Sequence, residues 1–282
     1  MRSGDYAMGS QRKILQWNMG CGPFASVKAT VAISRLQVLR DLLVEQVPSL
    51  VALQEAPQPA SATLRKAGFS TYGSGGLLLG MRNADWKKGR AILRQTKILT
   101  VEVQLAPQRF LLISDVHLLS RQYSQQLRRD NEALAAVKAI SNLRVQYVNR
   151  MCGEIIVGDF NLTPHDGIMM MDEGFYANRS RTYVETMARK SVLPMKPMYN
   201  PAWHIYGRAE EPLGSLYDTN PIDGPWLVFD QVLMSADLIG STSHEVIVVT
   251  STTGTGLLSS GVKRPDKETG SDHLPLISTF TV

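Results

Sequence analysis

Six short segments of this 282-residue sequence carry side chains suited to metal or phosphate chemistry. In five of them an apolar run ends in the polar residue: Gln16-Trp17-Asn18, Leu53-Gln54-Glu55, Asp115-Val116-His117, Gly158-Asp159-Phe160-Asn161 and Phe229-Asp230-Gln231. The sixth, Ser271-Asp272-His273, precedes the last apolar segment. Amide, carboxylate and imidazole groups are what hydrolysis at phosphorus needs: ligands for a cation, donors for the oxygens and one positioned base. Asp159 and Asn161 are two residues apart, so an extended chain puts both on one face. Asp230 stands inside an apolar run, where an unpaired carboxylate is costly, and the Asp272-His273 pair supplies a partner for it. Taken singly, Glu55 reads as a solvated carboxylate, Asn18 as a turn residue near Gly20, and His117 as a satisfied core histidine. Taken together they sit at strand ends, where a layered β scaffold can aim side chains from distant segments at one point.

The elements that must position them are legible from periodicity. Short apolar strands are predicted at 13–17 and 50–53, and between them Ala32, Leu36, Leu39 and Leu43 recur at helical spacing, with Pro48 just beyond. Further strands are expected at 77–79, 98–105 and 110–116, then a long amphipathic helix over 123–147 with Leu127, Leu134, Val137 and Ile140 on its apolar stripe. Segments 154–157, 227–234, 244–249 and 274–282 complete the strands. Residues 175–226 hold 8 of the chain's 20 aromatics with many of its prolines, and read as irregular structure inserted between core strands. Strands outnumber the few long helices, which predicts sheets packed together with helices outside.

Composition narrows the class. Hydrophobic residues at 44% and charged residues at 20% exclude disorder and fibrous repeats. No apolar run approaches the roughly 20 residues of a membrane span, and the polar opening residues lack the apolar centre of a secretory signal. Two cysteines, Cys21 and Cys152, imply no disulfide framework and fit a reducing compartment, so a soluble cytoplasmic protein is expected. The net charge of +5 is uneven: residues 1–150 carry 21 basic against 9 acidic side chains, or +12, and residues 151–282 carry 9 against 16, or −7. Such a split suits a basic surface for a polyanion beside an acidic site for a cation, although chance distribution over a solvated surface gives the same sum.

In this order and spacing, Trp17-Asn18, Gln54-Glu55, His117, Gly158-Asp159-Phe160-Asn161, Asp230 and Ser271-Asp272-His273 resemble the endonuclease/exonuclease/phosphatase superfamily of DNase I-like enzymes. The resemblance implies an α/β fold of four layers, an αββα sandwich with two mixed β-sheets face to face and helices outside. It implies a polar segment over 1–11 and a single domain over 12–282 that contains the aromatic-rich insertion. It further implies that Glu55 is the main metal ligand, with Asn18 and Asp272 completing the site. Oxygen donors of this kind suit Mg²⁺, with Mn²⁺ as a substitute. Asp159 resembles the residue that deprotonates the attacking water, and Asn161 the one that positions it. His273, held by Asp230, and His117 match the phosphate-side groups.

The expected activity is metal-dependent phosphodiester hydrolysis, with nucleic acid as substrate. Arg121, Arg128, Arg129 and Trp203 are candidate phosphate or base contacts. A phosphatase or phosphodiesterase acting on a lipid or small phosphoester is the alternative, and an inactive nucleic-acid-binding module the third reading. Residues 162–166 do not look like the abasic-site endonucleases, and Phe229-Asp230-Gln231-Val232 lacks the Asp-Arg pairing of inositol polyphosphate 5-phosphatases. Segments 200–207, 214–217 and 226–233 look similar to bacterial members of the superfamily that have no assigned substrate. His165, His204 and His244 are expected to be structural, and the methionine run 169–171 to pack in the core.

Overall fold

The computed structural model describes residues 10–22, 28–120, 125–190, 196–219, 224–239, 246–261 and 263–282. The first half contains β1 (Gln11–Asn18), α1 (Ala29–Gln46), β2 (Leu50–Gln54), α2 (Pro59–Lys66), β3 (Phe69–Ser74), β4 (Leu77–Arg82), β5 (Arg90–Arg94), β6 (Ile98–Ala106), β7 (Arg109–His117) and α3 (Gln126–Tyr147). The second half contains β8 (Met151–Asp159), α4 (Gly167–Met170), β9 (Ala177–Asn178), α5 (Arg181–Lys190), β10 (Met198–Tyr199), α6 (Trp203–Tyr206), β11 (Leu216–Tyr217), β12 (Trp226–Leu227) and β13 (Asp230–Met234). It ends with β14 (Val246–Val248), a small ribbon of β15 (Ser251–Thr252) and β16 (Thr255–Gly256), and β17 (Leu276–Thr281). One sheet runs β14-β17-β1-β2-β4-β3 and the other β5-β6-β7-β8-β13-β10-β9.

Strand alternation divides the apolar side chains between the two faces of each sheet. Ile14, Leu50, Ala52, Leu79, Leu111, Ile113, Ile155, Val157, Val232 and Met234 fill the gap between the sheets. Leu15, Trp17, Val51 and Leu53 instead pack on Leu36, Leu39 and Leu42 of α1 and Leu64 of α2. Val116, Ile156 and Leu233 pack on Ala133, Ala136, Val137 and Ile140 of α3. The layers are therefore helix, sheet, sheet, helix, the four-layer sandwich expected.

Two parallel pairings fix where the site forms. β1 and β2 are parallel and joined through α1, with Asn18 opposite Gln54. β7 and β8 are parallel and joined through α3, with His117 opposite Asp159, and the antiparallel β13 sets Asp230 opposite Asp159. Continuing the gap-facing alternation to this end of the strands gives Gln16 and Asn18, Gln54, Asp115 and His117, Asp159, and Asp230. The apolar filling thus gives way to polar side chains at one mouth of the sandwich.

Four local expectations need correction. Leu127 and Leu134 are exposed, because the buried stripe of α3 follows Ala133, Val137, Ile140, Arg144 and Tyr147, about 100° round the helix from Leu134. The expected strand 227–234 is broken between β12 and β13, so that Asp230 opens a new strand. Residues 175–226 are more regular than their prolines suggest: they include α5, and β9 and β10 extend the seven-stranded sheet past β13. Met169 is buried, whereas Met170 is exposed. No helix among the described residues is long and apolar enough to cross a membrane.

Candidate active site

Each polar residue in the gap replaces an apolar side chain whose burial would contribute about 1.5–3 kcal/mol, so each must be hydrogen-bonded to be tolerated. Gln16 Nε2 donates to Asp230 Oδ1 at 2.6 Å and to Gln54 Oε1 at 2.9 Å, and Gln54 Nε2 donates to Asp115 Oδ1 at 2.6 Å. Asp230 Oδ2 accepts from His273 Nδ1 at 2.7 Å. A continuous amide–carboxyl chain therefore crosses from one sheet to the other beneath the mouth. Burial holds the Asp115 carboxyl well above the usual carboxylate range, although Gln54 donates to it.

Asp159 is the point where the two sheets meet. Its Oδ2 accepts from Asn18 Nδ2 at 2.9 Å and lies 3.7 Å from His117 Nε2 and 3.8 Å from His273 Nε2. Burial, and the nearby Asp230 charge, raise its pKa against the opposing pull of His273 and His117. Burial works against a charge on His273, but Asp230 and Asp159 outweigh it and carry its pKa up to about 10. The ring is then a cation at neutral pH, and Nδ1–H donates to Asp230. Burial holds the pKa of His117 below that of a free imidazole, with Lys97 and His273 adding to the effect.

The backbone is bent to present these groups. Gly158 has φ +142° and lies so close to β7 that a Cβ there would sit 2.0 Å from the Val116 carbonyl oxygen. Asn161 adopts φ +50°, with its N–H on Asp159 Oδ1 at 2.9 Å and its side-chain nitrogen on Leu118 O at 3.0 Å. Glu55, just past β2, adopts φ +47°. Non-glycine residues at positive φ cost free energy and gather where side chains must be aimed.

On the other side of the mouth lie Asn18, Glu55 and Asp272. Asn18 Oδ1 accepts from Gly20 N at 3.0 Å, and Glu55 Oε2 accepts from Gly22 N at 3.3 Å with Oε1 3.8 Å from His117 Nε2. Gly20 backs onto Asp272, where a Cβ would sit 3.2 Å from Oδ1, so the Gly20–Gly22 loop touches both carboxylates. Asp272 pairs with Lys267 Nζ at 3.4 Å; burial pushes its pKa up, but His273, Lys267 and the Ser271 hydroxyl hold it below the usual range. An amide oxygen and two solvent-accessible carboxylates are hard-cation donors. Asp159, Asp230 and His273 form a second, buried group whose ligand atoms lie within 4.8 Å of one another.

All eight residues expected in the metal and catalytic set are brought to this mouth. Of the expected contacts, Arg121 lies outside the described residues. Arg128 is exposed at the start of α3, and Arg129 donates to Gln126 in its own helix. Trp203 stands on α6, half-buried. His165 is exposed, His204 Nε2 is 3.0 Å from Tyr199 OH, and His244 lies outside the described residues.

Sequence reading missed Arg35, a buried guanidinium on α1 that donates to the carbonyls of Gly270, Met19 (2.6 Å) and Lys267 (3.1 Å). It therefore ties the Asn18 loop to the Asp272 loop. Arginine at an otherwise apolar helix position was the available signal. Lys97 was also missed; its carbonyl accepts from His117 N at 3.1 Å. A depression of about 460 Å³ opens beside Asp272, lined by Tyr217, Leu227, Phe229, Arg264 and Asp218 among others.

No protein-family model matches the sequence, and no curated protein sequence matches it either. Solved structures do match its fold. An endonuclease/exonuclease/phosphatase family protein from Bacteroides thetaiotaomicron superposes with a TM-score of 0.59 at 12% identity, over 96% of this chain and 98% of that one. TDP2 from D. rerio, complexed with a single-strand DNA product, gives 0.58 at 14% identity over 97% and 100%. An AP endonuclease from Archaeoglobus fulgidus gives 0.55 at 14% identity over 96% and 100%. The chain has the four-layer DNase I-like fold of these proteins.

Proposed function

We propose that the protein is a metal-dependent phosphodiester hydrolase and that its substrate is nucleic acid. The observation that carries this reading is the convergence on Asp159: one buried carboxylate, contacted by Asn18, lies within 3.8 Å of two imidazoles, one ending β7 and the other in the loop before β17. The similar proteins with known fold include nucleic-acid enzymes, which supports the substrate class.

Asp159 takes the proton of the attacking water, and its raised pKa makes it a stronger base than a solvated carboxylate. Asn161, fixed at positive φ, positions that water. His273, cationic and held by Asp230, donates to a phosphate oxygen, and His117 contacts another. Glu55, Asn18 and Asp272 hold the cation, which is Mg²⁺ with Mn²⁺ as a substitute. This set fits better than the buried group, because both Asp230 oxygens are already bonded, to Gln16 and His273. When bound, the cation supplies charge neutralisation and Lewis-acid polarisation at the phosphate. Arg121, Arg128, Arg129 and Trp203 contact the substrate beyond the scissile bond.

Hydrolysis of plasmid DNA, single strands, RNA and a small phosphodiester, each with and without chelator, tests the reading. Turnover that survives removal of all divalent metal overturns it. The depression beside Asp272 favours a second reading, a compact phosphoester substrate, because one side of a small ester would fill it. Fast turnover of small esters with none of polymers would select that alternative.

A further inference from the structure

An aromatic cluster lies at the catalytic end of the seven-stranded sheet and takes no part in the hydrolytic chemistry. The Trp203 and Tyr206 rings are 6.1 Å apart, and His165 lies 6.4 Å from the first and 5.8 Å from the second. The guanidinium of Arg179 sits 5.9 Å from the Trp203 ring centre. The rings are tilted by 54–58° rather than stacked, so they do not cover one another's faces.

Core packing does not account for the cluster. In the same segment, Ala202, which caps α6, and Ile205 within it are fully buried and join the hydrophobic core, while Tyr206 is 37% exposed and Trp203 half-buried. His165 and Arg179 are exposed. The Trp203 indole N–H is buried with no acceptor among the described residues, so the polar edge of this half-buried ring is turned away from solvent.

The cluster is tied to the site. His165 follows Asn161 by four residues, at most about 14 Å of chain. β10 runs antiparallel to β13, so the chain leaving Tyr199 heads toward the Asp230 end. Asn200 Nδ2 then donates to Gln231 Oε1 at 2.7 Å, and Gln231 Nε2 donates to Leu162 O at 2.6 Å. One side chain, next to Asp230, therefore holds both the α6 arm and the His165 arm.

We propose that His165, Trp203, Tyr206 and Arg179 form a stacking platform that seats unpaired bases of a single-stranded nucleic acid a few nucleotides from the scissile phosphate. This rests on the hydrolytic reading and names its substrate more narrowly. Aromatic and guanidinium faces take any flat base, but only when that base is free of a duplex. A phosphoester without a heterocycle has nothing for them to grip.

The test is fluorescence anisotropy of a labelled thymidine oligonucleotide, with Ca²⁺ present and on an Asp159→Asn background to suppress cleavage. Trp203→Ala should weaken binding about tenfold or more, the scale of a lost base–aromatic stack, and Trp203→Phe should restore most of it. Replacing the strand by the same backbone without bases should weaken binding to the intact platform and abolish the difference that Trp203→Ala makes. Equal binding of base-bearing and base-free strands, equal binding of duplex and single strand, or no response to Trp203→Ala in a protein with an unchanged melting temperature would each overturn the platform. The hydrolytic reading is judged apart, by chelator-sensitive turnover of bis(p-nitrophenyl) phosphate, a diester without bases, in the wild-type protein.

Discussion

Four of the carboxylates at the mouth of the sandwich fall into two pairs with opposite surroundings. Glu55 and Asp272 belong to loops on the six-stranded side, with side chains 31% and 40% exposed. Asp159 and Asp230 lie on strands of the seven-stranded sheet at 2% and 0%. The pKa of Asp272 is held down by neighbouring cations, and that of Asp159 is raised by burial. Two carboxylates pushed in opposite directions can divide the labour, one staying ionised for a cation while the other accepts a proton. The loops keep their carboxylates wet, and the strands dry theirs.

Replacing the buried member should have the largest effect. Asp159→Asn is expected to lower turnover by about 10²–10⁴-fold while leaving the fold intact, as judged by rate measurements beside thermal melts. A variant that keeps wild-type rates would remove the distinction between the pairs. Glu55→Gln should instead act on the cation, weakening Mg²⁺ binding by at least about tenfold in calorimetric titration. Unchanged Mg²⁺ affinity would move the cation to the buried group.

A third experiment probes coupling on the dry side. Asp230→Asn and His273→Ala should be strongly non-additive in turnover, because Asp230 acts through the ring it holds at 2.7 Å. A double variant showing the product of the two single losses would separate them.

The same pair makes stability depend on pH. The folded pKa of His273, about 10, lies above the roughly 6.5 of a free imidazole, so its contribution is complete below about pH 6.5 and is lost as pH rises through 10. The melting temperature of chelated protein should therefore fall across that interval, and fall less in Asp230→Asn. A flat wild-type profile in calorimetry would contradict this. The smallest effect is expected at the rim: Arg128→Ala should reduce the salt slope of nucleic-acid binding by about one unit. An unaltered slope would leave Arg128 a solvated helix residue.

The site was legible because strand alternation is short-range: a polar residue ending an apolar strand announces both its face and its end. Asp159, His117 and Asp230 could be read that way from their own segments. Gln16 and Gln54 were visible in the same segments, but their bridging of the sheets depends on packing of β1 on β13 and of β2 on β7, which no local pattern encodes. Arg35 was hidden for a related reason. It occupies a helix position whose neighbours are apolar, and its partners are carbonyls 16 and 235 residues away. On α3 the large Leu127 and Leu134 misled, because the smaller Ala133 and Ala136 make the close approach to the sheet. In 175–226 prolines and aromatics masked α5, whose single buried residue, Val184, leaves little periodicity to detect.

The guanidinium of Arg35 makes two lips of the mouth into one mechanical body. Residues 19–21 and 267–270 are far apart in sequence, yet a single planar group grips carbonyls from both, so neither can swing without the other. The opening between Asn18 and Asp272 is thus set by the length of one side chain rather than by the slack of two loops. Amides on both lips should then exchange hydrogen in a single concerted event in the intact protein, and as two unrelated populations once that strut is cut.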